Sequence, residues 1–219
     1  MHQIIATGSK GNAILYMNAV MIDCGISYAM IKPYLKNIQF ILLTHSHKDH
    51  INLTTLSRVL KEKPSIRVGY CKGCFDFIGK NFDRYEPDKT YNYGRFQITP
   101  FMLYHNVPNC GYKVQGLGKK IFHSTDTGCL FEIEAKGFDL YCIESNYDET
   151  TVYDVIEKLE AEGKFAHQKN SIKNHLSEQQ ALEFYLQNKG ENSQLVRLHE
   201  SDSKLTPEHI TTSQNEIQS

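Results

Sequence analysis

The sequence of 219 residues has almost no net charge, since 24 basic side chains are matched by 25 acidic ones. It lacks the basic surplus of a dedicated nucleic-acid binder, so any contact with phosphate must come from a local patch. No run of 18 or more apolar residues occurs, and the first residues lack the pattern of a signal peptide. The six cysteines are too scattered for a disulfide scaffold. These absences predict a cytoplasmic protein without a membrane partner.

Short apolar runs mix with helical stretches along the chain, which indicates a layered α/β protein. The predicted strands are Ala19–Ile22, Ile38–Thr44, Phe96–Tyr104, Lys120–Ser124, Phe138–Ile143 and Gln194–Leu198. The predicted helices are Ser27–Leu35, Leu53–Glu62, Thr150–Glu162 and Glu178–Asn188. Ser177, with Gln180 three residues later, predicts a capping box for the last helix. Without an internal repeat or linker, residues 1–205 should form one domain, followed by a polar, disordered tail over 206–219.

Five of the apolar runs end in a residue that can bind a metal ion or transfer a proton. These residues are His45, His105, Asp126, Glu144 and His199. In layered α/β proteins, ligand sites gather in the loops beyond the strand ends. We therefore expect the five side chains to surround one pocket.

The densest group of such residues is the run from His45 to His50, which reads His-Ser-His-Lys-Asp-His. Three imidazoles and one carboxylate within six residues suit zinc or a similar ion. Alternate residues of an extended segment point the same way, so His45 and His47 can share one ion. Asp49 and His50, where the chain turns into the next helix, can face a second ion nearby.

This run resembles the metallo-β-lactamase superfamily, and the resemblance continues to about Leu205. The other matching segments are Gly8–Asn12, Asp23–Gly25, His105, Ser124–Gly128, Glu144–Asn146, Asn174–Ser177 and His199. The pattern is most similar to the YycJ/WalJ-like branch, which is related to ribonuclease Z and to the β-CASP nucleases. The resemblance implies a four-layer αββα sandwich in a single domain.

The resemblance also implies two divalent metal ions, with zinc expected first and manganese or iron as alternatives. The implied ligands are His45, His47 and His105 for one ion, Asp49, His50 and His199 for the other, and Asp126 between them. Asp49 would also orient a water that the ions acidify. His175 would protonate the leaving group, kept protonated by Glu144. An exchange of roles between His175 and His199 is the main alternative.

Two positions depart from this branch and one motif lies outside it. Asn106 stands where the branch commonly has Asp, and Glu200 replaces the Leu that usually follows the final His. The second change alters the surroundings of a predicted metal ligand. The lone pair Cys71 and Cys74 is either an ordinary turn or a separate zinc or redox site.

The resemblance favours a phosphodiester hydrolase, acting as a nuclease on DNA or RNA ends or single strands. A phosphodiesterase of a cyclic nucleotide or another small phosphodiester is the alternative, because the charge is near zero and there is no room for an inserted domain between Asp126 and His199. A thioester, lactone or β-lactam hydrolase fits the Glu144 and His175 pair less well. Residues 164–173 are predicted as a solvated basic loop that could touch phosphate. The chain could also form a homodimer.

Overall fold

Two six-stranded β-sheets lie at the centre of the fold in the computed structural model, which describes residues 1–166 and 168–199. The first sheet contains, in spatial order, β1 (His2–Ala6), β2 (Ala13–Tyr16), β3 (Val20–Ile22), β4 (Phe40–Leu43), β5 (Arg67–Cys71) and β6 (Phe82–Tyr85). Strands β1 to β3 pair antiparallel, and β3 to β6 pair parallel.

The second sheet follows in the chain and is built in the same two parts. Its strands are β7 (Tyr91–Tyr93), β8 (Phe96–Leu103), β9 (Asn109–Gly116), β10 (Lys119–Ser124), β11 (Leu140–Glu144) and β12 (Gln194–Leu198). Strands β7 to β10 pair antiparallel, whereas β10 to β12 pair parallel. The parallel parts carry the metal-binding candidates at their carboxyl ends.

Helices cover the outer faces of both sheets. On the first sheet lie α1 (Tyr28–Ile31) and α2 (Leu53–Glu62), and on the second lies α5 (Glu178–Asn188). The helices α3 (Val152–Ala161) and α4 (Gln168–Asn174) pack against each other in a separate small cluster. The capping box of α5 is confirmed: the Gln180 amide donates to the Ser177 hydroxyl at 3.0 Å, and the Ser177 amide donates to the Gln180 side chain at 2.9 Å. Within the described ranges, no helix is long and apolar enough to cross a membrane.

The apolar strands are buried on both faces, and alternate residues serve different layers. In β4, Phe40 and Leu42 belong to the core between the two sheets, whereas Ile41 and Leu43 pack in the core beneath α1 and α2. A third core joins the outer face of the second sheet to α5. Three cores separate four layers, which confirms the predicted α/β sandwich of a single domain.

Several predicted elements differ from the structure. The helix expected over Ser27–Leu35 is only α1, and a 3₁₀ turn at Lys32–Tyr34 follows it because Pro33 has no N–H to continue the α-helix. The basic loop expected over 164–173 is wrong in its second half, which forms α4. Strands β1, β2, β5, β6, β7 and β9 were not predicted. The tail 206–219 lies outside the described residues.

Candidate metal centre

The carboxyl ends of strands from both sheets bring the predicted residues into one place. His45, His105 and Asp126 each follow a strand by two residues, and His199 directly follows β12. The Nε2 atoms of His45, His105 and His199 lie 3.6, 3.9 and 3.8 Å from carboxylate oxygens of Asp126. The structure therefore brings these strand ends together, and His105, Asp126 and His199 line one pocket, whereas His45 and Glu144 are not part of its lining.

Two groups of potential ligands meet at Asp126. The first consists of His45, His47, His105 and Asp126, and the second of Asp49, His50, Asp126 and His199. Within each group, one nitrogen or oxygen atom from every residue lies within 4.8 Å of the others. The structure thus divides the seven residues as the resemblance implied, with Asp126 in both groups. Their binding of metal stays a prediction.

Neighbouring groups fix the orientation of the imidazole rings. The Nδ1 contacts are 3.1 Å from His45 to the Thr44 hydroxyl, 2.6 Å from His50 to Asp23, 3.1 Å from His105 to the carbonyl oxygen of Asn174, and 3.1 Å from His199 to the Asn146 side chain. These contacts leave the Nε2 atoms facing Asp126. Such supporting contacts orient the histidine ligands of metal proteins.

The buried nitrogen atoms provide a test of whether these residues fit metal ions. The Nε2 atoms of His105 and His199 are buried and have no hydrogen-bond partner among the described residues. An unsatisfied buried polar atom costs about 1–3 kcal/mol, and a bound cation would remove that cost. Imidazole and carboxylate donors suit zinc, manganese and iron. The residues therefore fit divalent ions.

The protonation states of the first group also suit metal binding. Burial lowers the pKa of His45 to about 2 and that of His105 to about 4. Burial raises the pKa of Asp126, but the His50 imidazolium and the other nearby histidines outweigh it and hold that pKa well below its usual value. Neutral imidazoles and an ionised carboxylate are the forms that bind metal.

His50 differs because it lies between two carboxylates. Burial lowers its pKa, but Asp126 and Asp23 outweigh burial and raise the pKa well above its usual value. The Asn12 side-chain amide lies 2.9 Å from the same Nε2 atom that faces Asp126. Binding of an ion by His50 would therefore release a proton, since only neutral imidazole is a ligand.

His175 and Glu144 form a pair beside the two groups. Glu144 is fully buried, and its carboxylate accepts hydrogen bonds from His175 Nδ1 at 2.8 Å and from the Thr127 amide. Burial raises the pKa of Glu144, and His175 partly offsets this. The His175 ring stacks on His199, with centroids 5.3 Å apart. Because the two rings adjoin, Asp126, Glu144, His175 and His199 also form a third possible ligand group.

The centre opens into a pocket of about 450 Å³. The pocket is lined by Ser9, His47, Asp49, His105, Asn106, Asp126, Asn170, Ser171, Asn174, His175 and His199. Three of these residues belong to α4, the helix that the sequence did not predict. None of the lining residues is a lysine or an arginine. Beyond the histidines, the wall therefore carries the carboxylates of Asp49 and Asp126 and otherwise uncharged polar side chains.

Backbone conformation at the centre is unusual. Asp23, Asp126 and His199 have φ values of 63°, 53° and 52°, in the left-handed region that residues with a Cβ rarely adopt. Each such residue costs about 1–3 kcal/mol, and strain of this kind concentrates at functional sites. At Gly25 a Cβ would lie 1.7 Å from the carbonyl oxygen of Asp49, so only glycine fits there.

The supporting residues were not predicted in these roles. Asp23 and Asn146 lie in segments that carry the resemblance. The sequence did not predict that Asp23 contacts His50 or that Asn146 contacts His199. Asn174 contributes a backbone carbonyl oxygen, which has no signal in sequence. His123, which the sequence analysis did not include among the ligands, is buried in β10 and hydrogen-bonds to the Tyr16 hydroxyl at 2.8 Å.

A four-layer αββα sandwich with a histidine and aspartate centre at its strand ends defines the metallo-β-lactamase fold. The family model described as "Beta-lactamase superfamily domain" matches residues 18–199, and the chain belongs to this superfamily. Among curated protein sequences, none matches this chain.

Solved structures agree with this fold. The metallo-β-lactamase fold protein YhfI from Bacillus subtilis aligns over 96% of this chain and 89% of its own, with a TM-score of 0.67 and 13% identity. Human tRNase Z, short form, aligns over 93% of both chains, with a TM-score of 0.66 and 18% identity. A diphosphatase from the PhnP family aligns over 91% of this chain and 85% of its own, with a TM-score of 0.58 and 12% identity. At these identities the likeness shows the fold alone.

Proposed function

We propose that the chain is a metal-dependent hydrolase of phosphodiester bonds that holds two divalent ions, with zinc expected first and manganese or iron as alternatives. The observation that carries this proposal is the pair of His175 and Glu144 at the edge of the centre. A proton donor is needed when an alkoxide leaves, as it does in phosphodiester cleavage. The resemblance to the YycJ/WalJ-like branch supports the same reaction.

The chain's own residues supply proton transfer and orientation. Glu144 accepts from His175 Nδ1, so the opposite nitrogen of the His175 ring faces the pocket and can donate a proton to the leaving oxygen. Asp49 lines the pocket with an ionised carboxylate: burial raises its pKa, but His199 and His50 lower it below the usual value. Asp49 can therefore orient the attacking water. Bound divalent ions would acidify that water and neutralise charge on the phosphoryl oxygens.

The leading substrate class is nucleic acid, at ends or in single strands. The fold shared with tRNase Z, whose name indicates action on RNA, supports this choice. Exposed Lys48 and Lys173 are chain neighbours of the pocket residues Asp49 and Asn174 and can supply a local positive charge. A nucleic-acid strand bound in the open pocket could then extend out of it past these two lysines.

A small phosphodiester, such as a cyclic nucleotide, is the second candidate. The lack of lysine and arginine in the lining of the 450 Å³ pocket favours it, because a long polyanion gains most of its affinity from several Lys or Arg contacts to phosphate. The polar side chains of Asn106, Asn170 and Ser171 could instead hydrogen-bond to one base or sugar.

One set of assays separates these functions. Protein loaded with Zn²⁺ or Mn²⁺ is tested on bis-p-nitrophenyl phosphate, single-stranded DNA and RNA, cyclic nucleotides and a thioester. If the protein cleaves both the aryl phosphodiester and single-stranded DNA or RNA, the result supports a nuclease. If it cleaves the aryl phosphodiester and cyclic nucleotides but not DNA or RNA, the result supports an enzyme for small phosphodiesters. Turnover of the thioester alone would overturn the whole proposal.

The role of His175 is tested by His175→Ala, with His2→Ala in β1 as the control for loss of a histidine. We expect phosphodiester turnover to fall about 10²–10⁴-fold, as for loss of a general acid, while the metal content stays at the wild-type value. The control should keep both activity and metal. Loss of a full metal equivalent in His175→Ala would show that His175 is a ligand and that its role and that of His199 must be exchanged.

A further inference from the structure

An exposed aromatic ring lies beside the candidate metal centre, outside the lining of its pocket. Tyr104 comes directly after β8 and directly before His105, and it is 67% exposed. Single exposed aromatic residues are common on protein surfaces, so exposure alone does not indicate a function. What distinguishes Tyr104 is its place in the structure, next to the segments that form the pocket.

Hydrogen bonds join the backbone of Tyr104 to the loop that carries Asp126. The Tyr104 amide donates to the Thr127 hydroxyl at 3.2 Å, and its carbonyl oxygen accepts from the Gly128 amide at 2.8 Å. Thr127 and Gly128 directly follow Asp126 in the chain. The backbone from which the ring projects is therefore held in a fixed position relative to the candidate ligands.

The ring lies at the junction between this loop and the end of α4. A Cβ at Gly128 would lie 3.2 Å from Cδ1 of Tyr104 and 2.7 Å from the carbonyl oxygen of Lys173, so only glycine lets the two approach each other here. Asn174, which follows Lys173, lines the pocket, and its carbonyl oxygen contacts His105. Tyr104 therefore lies at the rim of the pocket, beside the last turn of α4.

The rim offers two contacts that the pocket itself lacks. The Tyr104 ring makes no aromatic or cation–π contact with another described residue, and Lys173 beside it is also exposed. Proteins hold unpaired nucleobases by stacking them on such rings, and every base has a face that can stack. Because the pocket lining contains no lysine or arginine, a strand must gain its phosphate contacts outside the lining, and Lys173 can supply one.

We propose that Tyr104 is a specificity-determining residue, which stacks on an unpaired nucleobase of a DNA or RNA strand while Lys173 contacts an adjoining phosphate. This inference rests on the phosphodiester hydrolysis proposed above and names single strands as its substrates. A base in a duplex is stacked between its neighbours, so it has no face to offer to the ring. Tyr104 lies outside the pocket lining, so a small phosphodiester held at the centre does not use it. The ring contributes to binding of the strand and not to cleavage of the bond.

The test uses the full chain loaded with Zn²⁺ or Mn²⁺. It compares the wild type with Tyr104→Ala, with Tyr104→Phe, which keeps the ring, and with Tyr153→Ala, a control at another exposed tyrosine in α3. The substrates are bis-p-nitrophenyl phosphate, single-stranded DNA and RNA, and strands of equal length built from stable abasic analogues.

We expect Tyr104→Ala to raise the KM for strands with bases about 5–150-fold, the effect of losing one base stack, with little change in kcat. Tyr104→Phe and Tyr153→Ala should match the wild type. The abasic strands separate stacking from a structural role, since Tyr104→Ala should leave their KM unchanged. Turnover of bis-p-nitrophenyl phosphate should also be the same in all variants.

The results distinguish failure of this inference from failure of the proposed function. An unchanged KM in Tyr104→Ala, an equal rise for strands with and without bases, or an equal loss in Tyr104→Phe would overturn the stacking role and leave the hydrolase in place. A wild type that cleaves bis-p-nitrophenyl phosphate but no strand would do the same. A wild type that cleaves neither would overturn the proposed function and this inference with it.

Discussion

Asp126→Ala removes the carboxylate on which both ligand groups converge. Four imidazole nitrogens lie 3.3–3.9 Å from its oxygens. Those of His45 and His105 belong to the first group, and those of His50 and His199 belong to the second. Asp126 is buried and ionised, and it is a cause of the raised pKa of His50. Breaking a buried charge pair by removing one partner costs about 3–5 kcal/mol.

The cost should leave the chain folded, because domains have a free energy of unfolding of about 5–15 kcal/mol. We expect Asp126→Ala to lose both metal ions at concentrations that saturate the wild type, since Asp126 belongs to both groups. Metal content after equilibrium dialysis and urea unfolding in the presence of a chelator measure the two effects. Asp76→Ala, at a side chain that is 93% exposed, is the matched control.

Two results would refute this reasoning. If Asp126→Ala kept one metal equivalent with wild-type affinity, Asp126 would serve one ion only and the bridging role would be wrong. If the metal-free variant lost less than about 1 kcal/mol, the pairing with His50 would contribute little, and the protonated state of that imidazole would need another cause.

Three further substitutions test the fold around the centre. Ser177→Ala should lower the free energy of unfolding by about 1 kcal/mol, measured by thermal unfolding, because the α5 cap is lost. Phe122→Ala should cost about 3–5 kcal/mol in urea, since its ring packs 5.1 Å from that of Phe101 and 5.2 Å from that of Phe184. Burial lowers the pKa of His123 from 6.5 to about 3. The stability that the protein has from holding this imidazole neutral is therefore complete above pH 6.5 and is lost as the pH falls towards 3. His123→Asn should therefore reduce the acid-side slope of stability of the chelated protein by up to about 1.4 kcal/mol per pH unit.

Much of the candidate site could be predicted because its ligands are local in sequence. His45, His47, Asp49 and His50 lie within six residues, and the other ligands follow apolar runs that read as strands. Parallel strands with both faces covered give continuous apolar runs, so their ends are easy to recognise. The four-layer sandwich was predicted because these motifs, in their order along the chain, resemble those of the metallo-β-lactamase superfamily.

The remaining strands and α4 gave weaker signals. Strand β1 is only partly buried, and β7 has three residues of which none is fully buried, so neither shows a clear apolar pattern. Helix α4 has no buried residue, and its sequence of polar side chains matches that of a solvated loop. Its place is decided by neighbouring elements, among them the contact of the Asn174 carbonyl oxygen with His105.

The sequence by itself determined which residues can bind metal and which strands deliver them, because ligand spacing and strand patterning are properties of neighbouring positions. Only the tertiary structure decided which rings meet at Asp126 and how Glu144 holds His175. The physical reason is that these contacts join residues far apart in the chain. The stacking of the two sheets brings these residues together, and no local sequence pattern specifies contacts between positions so far apart in the chain.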